Sequence, residues 1–286
     1  MNFEFNKVAV IGAGTMGSGI ALVLAKAGIE VNLNDVKEEY LTRGMEQINK
    51  FLKGSVKRGK MTEEEANQIK NRISLGVNLV ESTKNIQMVI EAIIEEFEAK
   101  ERLFTKLDDI CEKEVIFATN TSAISINDLA KATNRQELFI GLHFFNPPLL
   151  MKLVEVIKGE KTSEETFDRA LYLCKKLDKT PVPSNEAPGF IVNRLLWVFL
   201  NESYKLIESQ IAKKEDIDTA VKLGLNHPMG PFELSDYIGL DIMLEIGDYI
   251  ANQDGEEYKP ASCLIELVKQ GKLGRKSGEG FYNYST

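Results

Sequence analysis

The chain has 286 residues, 43% apolar and 27% charged, with a formal net charge of −8. That length builds one large or two ordinary domains, and the negative charge argues against nucleic acid as a partner. Three widely spaced cysteines exclude a disulfide framework or a cysteine metal site, no basic flank or small-residue cleavage site marks a leader, and the greasiest stretch (190–200) is too short for a bilayer. The expectation is a cytoplasmic protein without a metal or a membrane partner.

The predicted elements begin with an apolar run at 8–11, the composition of a central parallel strand. It leads into Gly12-Ala13-Gly14-Thr15-Met16-Gly17, a helix over 18–26, and a strand at 31–33 closing on Asn34 and Asp35. Strand, G-x-G-x-x-G, helix, strand and acid in this order make a dinucleotide-binding fingerprint. Gly12 makes the tight turn, Gly14 lets the backbone approach a pyrophosphate, and Gly17 lets helix and strand pack closely. The helix start, just after Thr15 and Met16 of the loop, offers amide N–H groups to the phosphates. Asp35 would accept hydrogen bonds from ribose hydroxyls and repel a 2′-phosphate, which favours NAD over NADP.

Helices are expected over 37–53 and 62–72, the second opened by a capping box of Thr62 and Glu65. Between them Lys50, Lys53, Lys57, Arg58 and Lys60 gather positive charge on an acidic chain. Such a run is usually a solvated helix end; its other use is to receive phosphates outside the cofactor cleft. A buried strand at 88–94 ends at Glu95, a helix covers 97–111, and a strand at 115–119 runs into Asn120-Thr121-Ser122-Ala123. An amide and hydroxyls there lie where doubly wound sheets bind ligands, although Ser122 could equally cap the helix that starts near Ile126.

The next strand leads to Gly141-Leu142-His143-Phe144-Phe145-Asn146-Pro147-Pro148, whose prolines end it. His143, one of only two histidines, stands at a strand's C-terminal end, where hydride chemistry needs a base. A further strand, 151–157, holds Glu155 among Leu153, Val154, Val156 and Ile157, and a lone carboxylate in such a run is costly to bury unpaired. Taken alone, a structural histidine and an edge-strand carboxylate explain these two residues as well. FAD could use the same glycine loop, but a histidine base suits a nicotinamide better.

A helix over 163–177 and a short strand at 181–183 complete a first domain, 1–186, read as an α/β doubly wound, mostly parallel sheet of Rossmann type. The turn-rich segment 185–189 opens a second, all-helical domain, 187–286, with helices at 190–209, 214–223, 231–252 and 263–269. Asn193, in the first turn of its long helix, either satisfies the helix end or reaches back to the cleft. His227 lies in a proline-bracketed turn and reads as structural, and the glycine-punctuated run 274–282 as a packed tail.

These motifs together resemble the short-chain L-3-hydroxyacyl-CoA dehydrogenases, and among them the bacterial 3-hydroxybutyryl-CoA dehydrogenases. The resemblance runs through residues 8–19, Asn120-Thr121-Ser122, 141–147, Met151-Lys152-Leu153-Val154-Glu155-Val156, Pro188-Gly189-Phe190-Ile191-Val192-Asn193-Arg194, 226–231 and 274–282. It implies that His143 is the general acid/base paired with Glu155, and that Ser122 and Asn193 hold the substrate oxygen. It places Glu95 and Lys100 near the nicotinamide and its ribose, with Asn120 beside them. It implies that the basic helix with Lys50, Lys53, Lys57 and Arg58 meets the CoA phosphates of an acyl-CoA substrate. It also implies a homodimer, in accord with the greasy second-domain helices, acting in butyrate or fatty acid metabolism.

Two other readings compete. Another β-hydroxyacid dehydrogenase would share the architecture but would depend on a lysine in the long helix, which begins here with Asn193 and Arg194. A non-catalytic NAD-binding sensor would have no use for all four of His143, Glu155, Ser122 and Asn193.

Overall fold

Val8, Ala9 and Val10 are wholly buried on both faces, as the central strand of a parallel sheet requires. In the computed structural model, which describes residues 3–284, they form β1 (Lys7–Ile11). There follow α1 (Thr15–Lys26), β2 (Glu30–Asn34), α2 (Glu38–Lys57), α3 (Glu63–Asn71), β3 (Ile73–Gly76), α4 (Leu79–Ser82) and β4 (Met88–Glu91). The unit continues with α5 (Phe97–Ile110), β5 (Ile116–Thr119), α6 (Ile126–Lys131), β6 (Phe139–Phe144), β7 (Leu153–Lys158), α7 (Glu164–Lys176) and β8 (Thr180–Asn185). The described strands form one sheet in the order β3-β2-β1-β4-β5-β6-β7-β8, parallel throughout except for the antiparallel pair β6 and β7. The order reverses between β1 and β4, and the crevice outside the C-terminal strand ends at such a switch point is where these sheets bind ligands.

The chain divides into two compact units at Glu186 and Ala187. The second holds α8 (Val192–Glu208), α9 (Lys214–Gly224), α10 (Pro231–Ile238), α11 (Leu240–Asp254) and α12 (Ser262–Lys269) around a core of Trp197, Tyr204, Phe232, Met243, Ile250 and Phe281. Its glycine-punctuated C-terminal run is fastened by the buried Asp236, whose carboxylate accepts the Phe281 and Tyr282 amides, each at 2.8 Å.

Several elements differ from expectation, each for a local reason. The segment 231–252 is two helices, because Gly239 stands at φ 115°, outside helical space. Helix α2 continues to Lys57, so the lysines at 50, 53 and 57 belong to the helix itself. Strand β4 stops at Glu91, since the Ile93 amide turns back to donate to the Glu91 carboxylate at 2.7 Å. Unanticipated are β3 and α4, which dock on two buried asparagines of β2: Asn32 Nδ2 donates to the Ser82 carbonyl and Asn34 Nδ2 to the Gly76 carbonyl.

The closest approach in the sheet's first crossover is at Gly17. A Cβ there would lie 1.8 Å from the Gly12 carbonyl oxygen, a backbone atom that cannot step aside. We expect Gly17→Ala to lower folding stability by about 1–3 kcal/mol. Gly14→Ser, at a helix N-cap where a Cβ meets nothing within 4 Å, should stay within about 0.5 kcal/mol of the parent. Chemical denaturation of both variants checks this, and equal midpoints would refute the packing argument.

Candidate active site

The register of the parallel strands brings one edge of the sheet together: Ile11 pairs with Glu91, Glu91 with Thr119, and Thr119 with Gly141. Whatever follows these positions in sequence therefore gathers at one crevice. After β1 comes the glycine loop, after β4 the segment 92–96, after β5 Asn120 to Ser122, and at the end of β6 His143.

The glycine loop has the features of an anion cradle. Helix α1 starts from Gly14 with no side-chain cap and no acid in its first turn, so its leading amides and the positive end of its dipole face the crevice. The space outside Gly14 is open. Asp35, at the end of β2, accepts the Ala13 amide and the Val36 amide, each at 2.7 Å, which fixes the carboxylate against the loop. Gly12, Gly14, Thr15, Met16, Gly17 and Asp35 are thus disposed to hold a dinucleotide by pyrophosphate and ribose.

Next to the loop lies a charge cluster that the sequence only half disclosed. Lys100 points from α5 into the protein, is 1% exposed, and pairs with Glu91 at 2.5 Å and Glu95 at 3.1 Å. Glu91 is wholly buried and also receives the Thr119 hydroxyl at 2.6 Å. Burial pushes its carboxyl above the usual carboxylate range, against the pull of Lys100 and its hydrogen bonds. Glu95 reaches the surface, with a side chain 40% exposed. Burial pushes it up as well, but Lys100 and hydrogen bonds from Thr121 and Ser122 outweigh that and leave it lowered. Its Oε1 accepts the Thr121 hydroxyl at 2.6 Å, the Ser122 amide at 2.7 Å and the Ser122 hydroxyl at 3.2 Å. The sequence reading missed Glu91; an acid closing a buried strand, with a lysine on the next helix, was the available signal.

Ser122 is not the cap of α6; Ser125 is, accepting the Asp128 amide. Asn120 joins two strand ends: its amide donates to the Glu91 carbonyl at 2.8 Å, and its Oδ1 accepts the Phe144 amide at 2.9 Å. That bond lies next to His143.

His143 stands directly across the antiparallel ladder from Glu155, and its Nδ1 lies 2.6 Å from Glu155 Oε2. Glu155 is wholly buried and His143 is 6% exposed. The carboxylate that looked costly in isolation has a partner, and the pairing fixes the ring's plane. Phe145 packs on the imidazole with ring centroids 4.4 Å apart.

The remaining candidates belong to other elements. Lys50, Lys53 and Lys57 are exposed along α2, followed by the exposed Arg58 and Lys60. Asn193 belongs to the second unit, buried in the first turn of α8, and Arg194 beside it pairs with Asp254. His227 packs edge-on against Phe199. Among the described residues no cluster of His, Cys, Asp or Glu could hold a metal ion, and no helix is long and apolar enough to cross a membrane.

Comparison with known proteins agrees over nearly the whole chain. Residues 7–187 match the family described as 3-hydroxyacyl-CoA dehydrogenase, NAD binding domain, and residues 189–284 the 3-hydroxyacyl-CoA dehydrogenase, C-terminal domain. A mitochondrial hydroxyacyl-coenzyme A dehydrogenase of Rattus norvegicus is 45% identical over 284 residues, covering 97% of this chain and 90% of its own. A 3-hydroxybutyryl-CoA dehydrogenase of Clostridioides difficile is 41% identical over 280 residues, covering 98% and 99%. The crystal structure of an (S)-3-hydroxybutyryl-CoA dehydrogenase from Ralstonia eutropha superposes with a TM-score of 0.96 at 39% identity, covering 99% of this chain and all 100% of that one.

The lowered pKa of Glu95 gives a signed expectation. A carboxyl depressed in the folded state stabilises it above the unfolded-chain value of 4.5 and loses that contribution as pH falls through the depressed value. Glu95→Gln should therefore melt below the parent at neutral pH, with the gap closing on acidification below about pH 4.5. A gap independent of pH would contradict the ionised clamp.

Proposed function

We infer the function from one premise: the chain belongs to the 3-hydroxyacyl-CoA dehydrogenase family. It is an NAD-dependent enzyme that interconverts 3-hydroxyacyl-CoA and 3-oxoacyl-CoA. The substrate pair we assign is (3S)-3-hydroxybutyryl-CoA and acetoacetyl-CoA, on the names of its bacterial relatives.

The observation that carries the mechanism is the contact of His143 Nδ1 with the buried Glu155. NAD, when bound, supplies the acceptor for the hydride that leaves C3. His143 takes the hydroxyl proton at Nε2 during oxidation and returns it during reduction. Glu155 holds the Nδ1–H tautomer and stabilises the imidazolium formed when Nε2 takes up the proton. The Ser122 hydroxyl donates to the substrate oxygen, where negative charge develops. Glu95, Lys100 and Asn120 shape the nicotinamide end of the cofactor cleft. The cations of α2 receive the CoA phosphates, so that binding energy remote from C3 positions the reacting carbon.

We also assign a homodimer in the cytoplasm. Leu195 and Val198 present an apolar strip on the outside of α8, and the three unpaired cysteines suit a reducing compartment. A monomer by light scattering at micromolar concentration would refute the dimer.

Oxidation of NADH by acetoacetyl-CoA tests the core of this reading. His143→Gln should lose about 10²–10⁴-fold in kcat while still binding NADH, and equal turnover would remove His143 from the mechanism. Charge reversal at Lys50, Lys53 and Lys57 together should raise KM for acetoacetyl-CoA by about tenfold at low salt, with kcat kept and the difference shrinking at high salt. An unchanged KM would show that the phosphates land elsewhere.

A further inference from the structure

Glu91 is a wholly buried acid at the crevice to which the mechanism gives no task, yet it holds three neighbouring groups. Its Oε1 receives Lys100 Nζ at 2.5 Å and the Ile93 amide at 2.7 Å, and its Oε2 receives the Thr119 hydroxyl at 2.6 Å. Two routes run from there to Ser122. In one, Lys100 bridges to Glu95 at 3.1 Å, and Glu95 accepts both the amide and the hydroxyl of Ser122. In the other, the Thr119 hydroxyl accepts the Thr121 amide at 3.3 Å. Lys100 has a long flexible stem and is 1% exposed, so its position is decided by its partners. Among the described residues its ion-pair partners are Glu91, which is buried, and Glu95, which reaches solvent.

We propose that Glu91 is a positioning residue for the reaction: it fixes the Lys100 ammonium against Glu95, which holds the Ser122 amide, and thereby sets the hydroxyl of Ser122 for the substrate oxygen. The proposal rests on the reading that Ser122 meets that oxygen. Without a charged Glu91 the ammonium follows Glu95 outward, the Glu95 carboxylate shifts, and Thr121 and Ser122 lose their common acceptor. An error of about 1 Å in such a donor costs on the order of a hundredfold in rate.

The test uses Glu91→Gln, which keeps the shape and removes the charge, and Glu91→Asp, which keeps the charge and withdraws it by one methylene. In both, amide hydrogen exchange at Thr121 and Ser122 should accelerate by about tenfold or more while the amides of α1 keep their parental rates. The kcat/KM for acetoacetyl-CoA should fall about 10–100-fold, and Glu91→Gln combined with Ser122→Ala should be no slower than Ser122→Ala alone. Unchanged exchange at Thr121 and Ser122 overturns the proposal whatever turnover does. Fully additive losses in the double variant also overturn it, because Glu91 then acts other than through Ser122. If neither variant folds, Glu91 is a residue of the fold alone and the proposal falls. Accelerated exchange with Ser122→Ala at parental activity supports the hold of Glu91 on the segment and refutes instead the role given to Ser122.

Discussion

A carboxylate with no exposed surface, in the middle of a strand, is the constraint on which this site is built. Glu155 lies between Val154 and Val156, both wholly buried, in a part of the sheet where an unpaired charge would cost several kcal/mol. It is tolerated because β6 and β7 run antiparallel and set His143 directly opposite, with Nδ1 at 2.6 Å. Among the described strands, which otherwise pair in parallel, the reversal between β6 and β7 is what makes that pairing. Losing either residue would leave a buried polar group without this contact, so the fold and the proposed chemistry meet at this rung.

The other functional groups depend on the same sheet edge. Strand register puts Ile11, Glu91, Thr119 and Gly141 in neighbouring positions, and each following segment turns into the crevice. Asn120 ties the end of β6 back to β4, so the histidine is held both from across the ladder and from along the sheet. The Glu91–Lys100–Glu95 cluster does for the Ser122 segment what Glu155 does for His143. In both places a buried carboxylate fixes a polar group that would otherwise have rotamer freedom, which is preorganisation by rigid elements rather than by loops.

Much of this could be read in the sequence because it rests on local patterns. The glycine fingerprint, the acid at Asp35 and the capping box at Thr62 and Glu65 are each short-range signals, and the described structure has the elements where they point. Other features are set by partners distant in sequence. Strand β3 has one buried residue and an exposed middle, so it shows no alternation; its place is fixed by Asn34 on β2. Glu91 looked like part of a longer apolar strand because nothing in its neighbourhood announces a buried lysine from the next helix. Ser122 reads as a candidate cap of the helix near Ile126, but the cap is Ser125, the residue directly before it. The single helix expected over 231–252 failed at Gly239, whose positive φ no periodicity reveals.

In the proposed mechanism Glu155 holds His143 as the Nδ1–H tautomer, and Nε2 accepts the substrate proton. The chain has only two histidines, so ¹⁵N-labelled imidazoles can be assigned by comparison with a His227→Gln variant. In the NAD complex, at a pH where the ring is neutral, the account predicts a protonated Nδ1 coupled to its hydrogen and an Nε2 with the shift of an unprotonated ring nitrogen. A neutral ring carrying its proton on Nε2 would contradict it.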